Sequence, residues 1–113
     1  MHKDATQFLW HILDECDYIL SVITPELSKG EFLANATLKR AIVRSIEVIG
    51  EASKQISFED RSRWPAVNWK NMTGMRDRLI HDYMGINYQI VWDVVKHKIP
   101  ELHLQIRSLL SAE

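Results

Sequence analysis

The sequence predicts an all-α chain, an antiparallel bundle of four to five helices with short connections. Three observations predict it. Apolar residues recur at a 3.6-residue period in successive stretches, and no segment alternates apolar and polar residues as a half-buried strand would. Glycine and proline number only 4 and 3, too few for a turn-rich β protein. With 113 residues, 46% hydrophobic and 26% charged, the chain reads as one domain over 1–113. That is long enough to bury a core without disulfides or metal, and it contains no repeat, low-complexity segment or linker.

The elements follow in order. Over 5–23, Leu9, Ile12, Leu13, Cys16, Ile19, Leu20 and Ile23 form a helical stripe opposite Asp14, Glu15 and Asp17. Pro25 and Gly30 in "TPELSKG" end that helix, and "EFLAN" fits a short helical turn. From Thr37 to Ile56 the series Leu38, Ile42, Ser45, Ile46, Ile49, Ser53, Ile56 is helical again. Gly50 in its interior costs about 1 kcal/mol against alanine, so a close-packed neighbour is expected there. "SFEDRSRWPAV" at 57–67 loses the period and holds Pro65, which predicts a loop. Asn68 is a good N-cap for a helix from Trp69 to about Tyr83, stopped by Gly85. Asn87 caps a further helix that buries Ile90, Val91, Val94 and Val95. Pro100 stands where a first-turn proline is tolerated, opening a last helix with Leu102, Ile106, Leu109 and Leu110.

Composition narrows function by exclusion. The single cysteine, Cys16, rules out an internal disulfide framework and a cysteine-based zinc site, and suits a reducing cytoplasm. No apolar run reaches membrane-spanning length, and "MHKDATQFLW" has an acid where a signal peptide would continue apolar. The expectation is a soluble cytoplasmic protein. A net charge of −1 argues against a general nucleic-acid coat protein, but the charge is uneven. Residues 1–38 carry two Lys/Arg against six Asp/Glu, and residues 39–81 carry nine against five. That asymmetry fits either an anionic ligand or ordinary surface charge balanced on folding.

The basic middle ends on "MRDRLIHDYMGIN", Met75 to Asn87. At about 100° per residue, Trp69, Met72, Leu79, Ile80 and Tyr83 fall within about 60° of Arg76. Arg76 thus stands in the middle of the predicted apolar stripe. Asp77 and His81 share a flank about 100–140° away, and Arg78, at about 200°, points to solvent. A charge on an apolar face needs a partner. One reading has Arg76 paired with Glu47 or Glu51 on the preceding helix, or snorkelling outward. The other has it gripping a phosphate, with its rigid donor fork matched to two oxygens, beside a histidine oriented by Asp77 and able to move a proton near neutral pH. Those are the parts a metal-independent ribonuclease needs.

"RDRLIHDY" carries the pattern R-x4-H-x-Y, and in this it resembles the HEPN superfamily, specifically the HepT-like toxins of toxin–antitoxin pairs. "RAIVRSIEVIGEASKQI" is similar to that family's central helix, and "GMRDRLIHDYMGINYQIVWDVV" with "IPEL" to its C-terminal half. The resemblance covers about Thr37 to Leu110. It implies a helical homodimer with its cleft at the dimer interface, acting as a metal-independent endoribonuclease on RNA. Arg76 and His81 then fall on the catalytic pair and Asp77 on the accessory polar position. Tyr83 falls on the tyrosine that an MntA-like nucleotidyltransferase antitoxin modifies with AMP from ATP. No cofactor is implied.

The dimer also answers a geometric difficulty. Side chains about 140° apart on one helix do not line one narrow cleft, whereas a two-fold axis supplies two copies of each. Arg40 and Arg44 are candidates to extend the anion- or RNA-binding surface, though arginines at i,i+4 are commonly solvated or satisfied by a carboxylate such as Glu47. Trp10, Trp64, Trp69 and Trp92 read as core or interface anchors. His11, His97 and His103 lack partners at metal-ligand spacing, and no glycine-rich phosphate loop is present. The chain would therefore be the modified partner and not the ATP-binding one. The rival reading is a catalytically inactive helical module that docks the nucleotidyltransferase.

Overall fold

The computed structural model describes residues 5–79 and 85–112, apart from the side chain of Arg76. It is an all-α bundle. Helix α1 (Ala5–Val22) buries Leu9, Ile12, Leu13, Cys16 and Ile19, the stripe the sequence predicts. Helix α2 (Lys29–Ala34) is the short turn over "EFLAN". Ser28 caps it, its hydroxyl accepting the Glu31 N–H at 3.1 Å while its own N–H donates to Glu31 Oε1 at 2.9 Å. That backbone bond holds the Glu31 carboxyl below its ordinary range. Helix α3 (Ala36–Gln55) starts on Asn35, whose Oδ1 accepts the Leu38 N–H at 2.9 Å.

Residues 57–67 are not all loop. Helix α4 (Phe58–Arg63) lies inside them, with Ser57 accepting the Asp60 N–H at 3.1 Å. Glu59 and Asp60 occupy its first turn and Arg61 and Arg63 its last, the order that suits a helix dipole. It buries no residue, so it has no apolar stripe to read, and end chemistry alone specifies it. Its function in the fold is carried by Arg61. The guanidinium donates to the carbonyls of Ser53 at 2.9 Å and Ile56 at 3.0 Å, adding a second donor to the Ser53 carbonyl, which also accepts the Ile56 N–H at 3.2 Å.

Helix α5 is described over Trp69–Leu79, and α6 over Tyr88–Asp93. From α6 the chain continues without a break through a π-helical turn, Val94–Lys98, into α7 (Ile99–Ala112). In that turn the Ile99 N–H reaches the Val94 carbonyl, five residues back. Pro100 has no N–H to continue an α-helical ladder and its ring crowds the preceding turn. The widened turn just before it is how the helix absorbs the proline. The sequence places a helix start at Pro100, and the structure keeps that start inside one long C-terminal helix.

The buried apolar side chains of α1, α3, α5, α6 and α7 form one cluster, with Phe32 of α2 added. α1 packs against α3 and α7, and α3 packs against α5. α2 reaches α6 through Phe32 and Trp92, rings 5.3 Å apart. Asp17 Oδ1 and His103 Nε2, 2.6 Å apart, link α1 to α7. Among the described residues no helix is long and apolar enough to cross a membrane. Burial beside Asp17 and Glu15 pushes the Cys16 thiol up to about 12, burial contributing most. A thiol-exchange reagent at neutral pH should therefore label Cys16 only at the rate of unfolding, since the thiolate is the reactive form. Labelling of native protein on mixing would contradict this burial.

Gly50 gives a second check. A Cβ there would sit 3.5 Å from the Met72 carbonyl of α5, an ordinary contact. Gly50→Ala is expected to raise stability in urea unfolding by about 0.5–1 kcal/mol, the helix-propensity gain. Gly50→Ile, whose branches extend past that contact, should lose about 1–3 kcal/mol to overpacking.

Candidate active site

The helix that carries the R-x4-H-x-Y motif is fixed at its start. Asn68 Oδ1 accepts the Asn71 N–H at 3.0 Å, the cap expected from sequence. The Trp69 indole N–H donates to the Trp64 carbonyl at 3.0 Å, and the two rings lie 6.2 Å apart. Both tryptophans are buried and serve as anchors. Trp10, by contrast, is 53% exposed. Gly50 near the end of α3 faces Met72 near the start of α5. With only α4 between them, α5 runs back antiparallel along α3, towards Arg44 and Arg40.

Trp69, Met72, Met75 and Leu79 are the buried residues of α5. Their mean direction lies about 45° from Arg76, and about 33° from the mean of the stripe drawn on the sequence wheel. The difference comes from Met75, left out of that stripe, and from Ile80 and Tyr83, which lie outside the described residues. Arg76 belongs to α5 by its backbone, but its side chain, His81 and Tyr83 are outside the described residues. Asp77 is exposed on α5, and Arg40 and Arg44 are exposed on α3. Of the two carboxylates considered as Arg76 partners, Glu51 is exposed and sits 3.5 Å from Lys54, while Glu47 is half-buried.

The segment 80–84 is bracketed by fixed points. Leu79 is buried, and its carbonyl accepts the Asn87 N–H at 2.9 Å. Gly85 has φ +91°, the left-handed conformation that a side chain disfavours. Asn87 Oδ1 then accepts the Gln89 and Ile90 N–H groups at 3.1 and 3.2 Å, starting α6. The chain therefore leaves α5 and enters α6 at one closed junction, with His81 and Tyr83 between its two posts.

The opposite flank of α5 faces a groove. α5 lies along α3 and touches α6 more sparsely, and the seam between α5 and the C-terminal helix is partly open. It holds a cavity of about 160 Å³ over Met72, Met75 and Leu102 and a wider one of about 510 Å³ over Ile90 and Asp93. Arg78, Val94 and Lys98 border both. Arg78 is solvent-exposed, as the wheel has it, yet it stands over this groove. Its neighbours there come from α6 and the π turn, and no local motif signals that. Among the described residues, no group of three His, Cys, Asp or Glu side chains is placed to hold a metal ion.

Comparison with known proteins fits this architecture. The HepT-like ribonuclease family model matches residues 12–109. A candidate RNase of Caldanaerobacter subterraneus subsp. tengcongensis is 41% identical over 98% of both chains. A candidate RNase of Methanocaldococcus jannaschii is 40% identical over 96% of this chain and 88% of its own. A protein of Thermococcus cleftensis named as a candidate ribonuclease HepT is 34% identical over 96% and 94%. No solved structure gives a significant match.

The junction itself can be tested. Gly85→Ala and Asn87→Ala should each lower unfolding free energy by about 1 kcal/mol, one through the positive φ and the other through the lost cap. Equal midpoints for both variants and wild type would mean that the junction is not under this constraint. The chain, by its match over residues 12–109 and its relatives along nearly its whole length, belongs to the HepT-like ribonuclease family.

Proposed function

We propose that this protein is a metal-independent RNA endonuclease, the toxin of a toxin–antitoxin pair. The observation that carries this reading is the family match across the chain, together with Arg76 and His81 at R-x4-H spacing in the sequence. Arg76 would hold the non-bridging oxygens of the scissile phosphate, where its fork meets two of them. The 2′-hydroxyl attacks phosphorus as the bond to the 5′-oxygen breaks, leaving a cyclic phosphate and a 5′-hydroxyl. His81 takes the proton from the 2′-oxygen or supplies one to the departing 5′-oxygen. Asp77 is the accessory group that orients His81. Arg40 and Arg44, exposed on the helix that α5 packs against, extend the surface offered to RNA.

The cleft lies across a homodimer's two-fold axis, which supplies both members of the pair from two copies of the motif. Regulation acts on Tyr83. Its phenolic oxygen attacks the α-phosphorus of ATP on a nucleotidyltransferase antitoxin, pyrophosphate leaves, and AMP stays on the ring. The added bulk and negative charge beside Arg76 then exclude the RNA phosphate.

With EDTA present, the wild type should cleave RNA, while Arg76→Ala and His81→Ala should each lose at least about 100-fold in rate, the scale of one general acid–base or charge-stabilising group. Equal cleavage by wild type and His81→Ala would remove the catalytic assignment. No cleavage by any of them would leave the docking-module reading. Incubation with the antitoxin and ATP should add AMP-sized mass to the wild type and none to Tyr83→Phe. An unchanged mass gain in that variant would place the modification elsewhere.

A further inference from the structure

We infer that the open seam between α5 and the C-terminal helix is a binding groove for single-stranded RNA, with Arg78 and Lys98 as its phosphate contacts. The inference rests on the ribonuclease reading for its ligand class and on the seam's own geometry for its location. Five of the described basic side chains have partners. Lys54 and Arg63 meet carboxylates, Arg61 holds backbone carbonyls, and Lys39 and Lys96 lie over the rings of Tyr88 and Trp92. Arg78 and Lys98 border both cavities of the seam, and neither has a hydrogen bond or ion pair among the described residues. His97 stands beside them over the wider cavity.

The groove has the composition a single strand asks for. Cations at its rim suit phosphates, and Met72, Met75, Val94 and Leu102 beneath them give an apolar floor against which bases can lie. Among the described residues, Asp93 is the one carboxylate of the wider cavity; it suits an exocyclic amine or a 2′-hydroxyl and repels a phosphate, so the backbone should track along the Arg78–Lys98 side. Glu101, on the narrower cavity, is engaged by the Gln105 amide at 3.3 Å. An acidic protein surface would meet the same cations but would leave the recessed apolar floor unfilled. Arg78 lies about 200° around the helix from Arg76, so the groove is on a different face of α5 from the catalytic arginine.

The test is binding of a short fluorescein-labelled 2′-O-methyl RNA to the full-length protein, followed by anisotropy across a salt series. Such RNA lacks the 2′-hydroxyl nucleophile, so binding is read apart from cleavage. Arg78→Gln/Lys98→Gln should weaken binding roughly tenfold and make the slope of log K against log salt shallower by about 1.4, two phosphates at about 0.7 each. A control, Lys29→Gln/Lys54→Gln, removes two charges elsewhere and should leave the slope as in wild type. Thermal melting checks that both variants fold. Unchanged affinity and slope in the seam variant overturn the groove, as does an equal loss in the control. Unchanged RNA affinity with a dimer that falls apart in sedimentation also overturns it, making the seam a protein interface. Loss of binding in the seam variant alone upholds the groove even if no RNA is cleaved, in which case the ribonuclease reading fails by itself.

Discussion

The position of α5 depends on one arrangement, the return of the chain from the end of α3 to the start of α5. Arg61 donates to the carbonyls of Ser53 and Ile56, which ties α4 to the end of α3. α4 closes on Trp64, whose carbonyl receives the Trp69 indole N–H and whose ring packs near the Trp69 ring. Asn68 then caps α5, and Gly50 lets the new helix lie with its Met72 carbonyl close against α3. Three of these steps are hydrogen bonds and the last is a close packing contact. Together they fix α5 at its first turn, and the buried Leu79 with its carbonyl bonded to the Asn87 N–H fixes it again ahead of the motif's end.

The long helices were legible because each spends its apolar residues on one face. α1 and α3 begin and end within a residue or two of where their stripes do, and Asn68 and Asn87 mark starts by a side chain that satisfies early N–H groups. What the period does not encode stayed hidden. α4 buries nothing, so only its end charges announce it. The π turn before Pro100 is a backbone answer to a missing donor, and apolar spacing is nearly blind to it. Phe58, 83% exposed in the midst of that polar helix, has no explanation in the structure.

The site was legible as a motif and less so as geometry. The sequence puts Arg76, His81 and Tyr83 on one helix running to about Tyr83, and the described part of α5, to Leu79, and the Gly85–Asn87 junction bracket that stretch. Of the stripe drawn on the wheel, Trp69, Met72 and Leu79 are buried, while Ile80 and Tyr83 lie outside the described residues. Met75, which the wheel omitted, is buried with them on the side of the groove. Arg78 shows the same limit from the other side. A wheel sorts a side chain as inward or outward for one helix, and it has no knowledge of Lys98, twenty residues later, across an open seam.

A protein of net charge −1 that acts on RNA has to place its cations well, because it has no overall positive field to draw the substrate in. A lysine or arginine already held by a carboxylate, a carbonyl or a ring, as Lys54, Arg61 and Lys39 are, offers little to a phosphate. The unpaired ones set where a polyanion settles, and within the described seam those are Arg78 and Lys98. Discrimination follows from the same economy. A strand that reaches the motif end of α5 without filling the seam gains only the contacts made there, and is held weakly. A strand long enough to occupy both gains the additional phosphate contacts and is retained through the reaction.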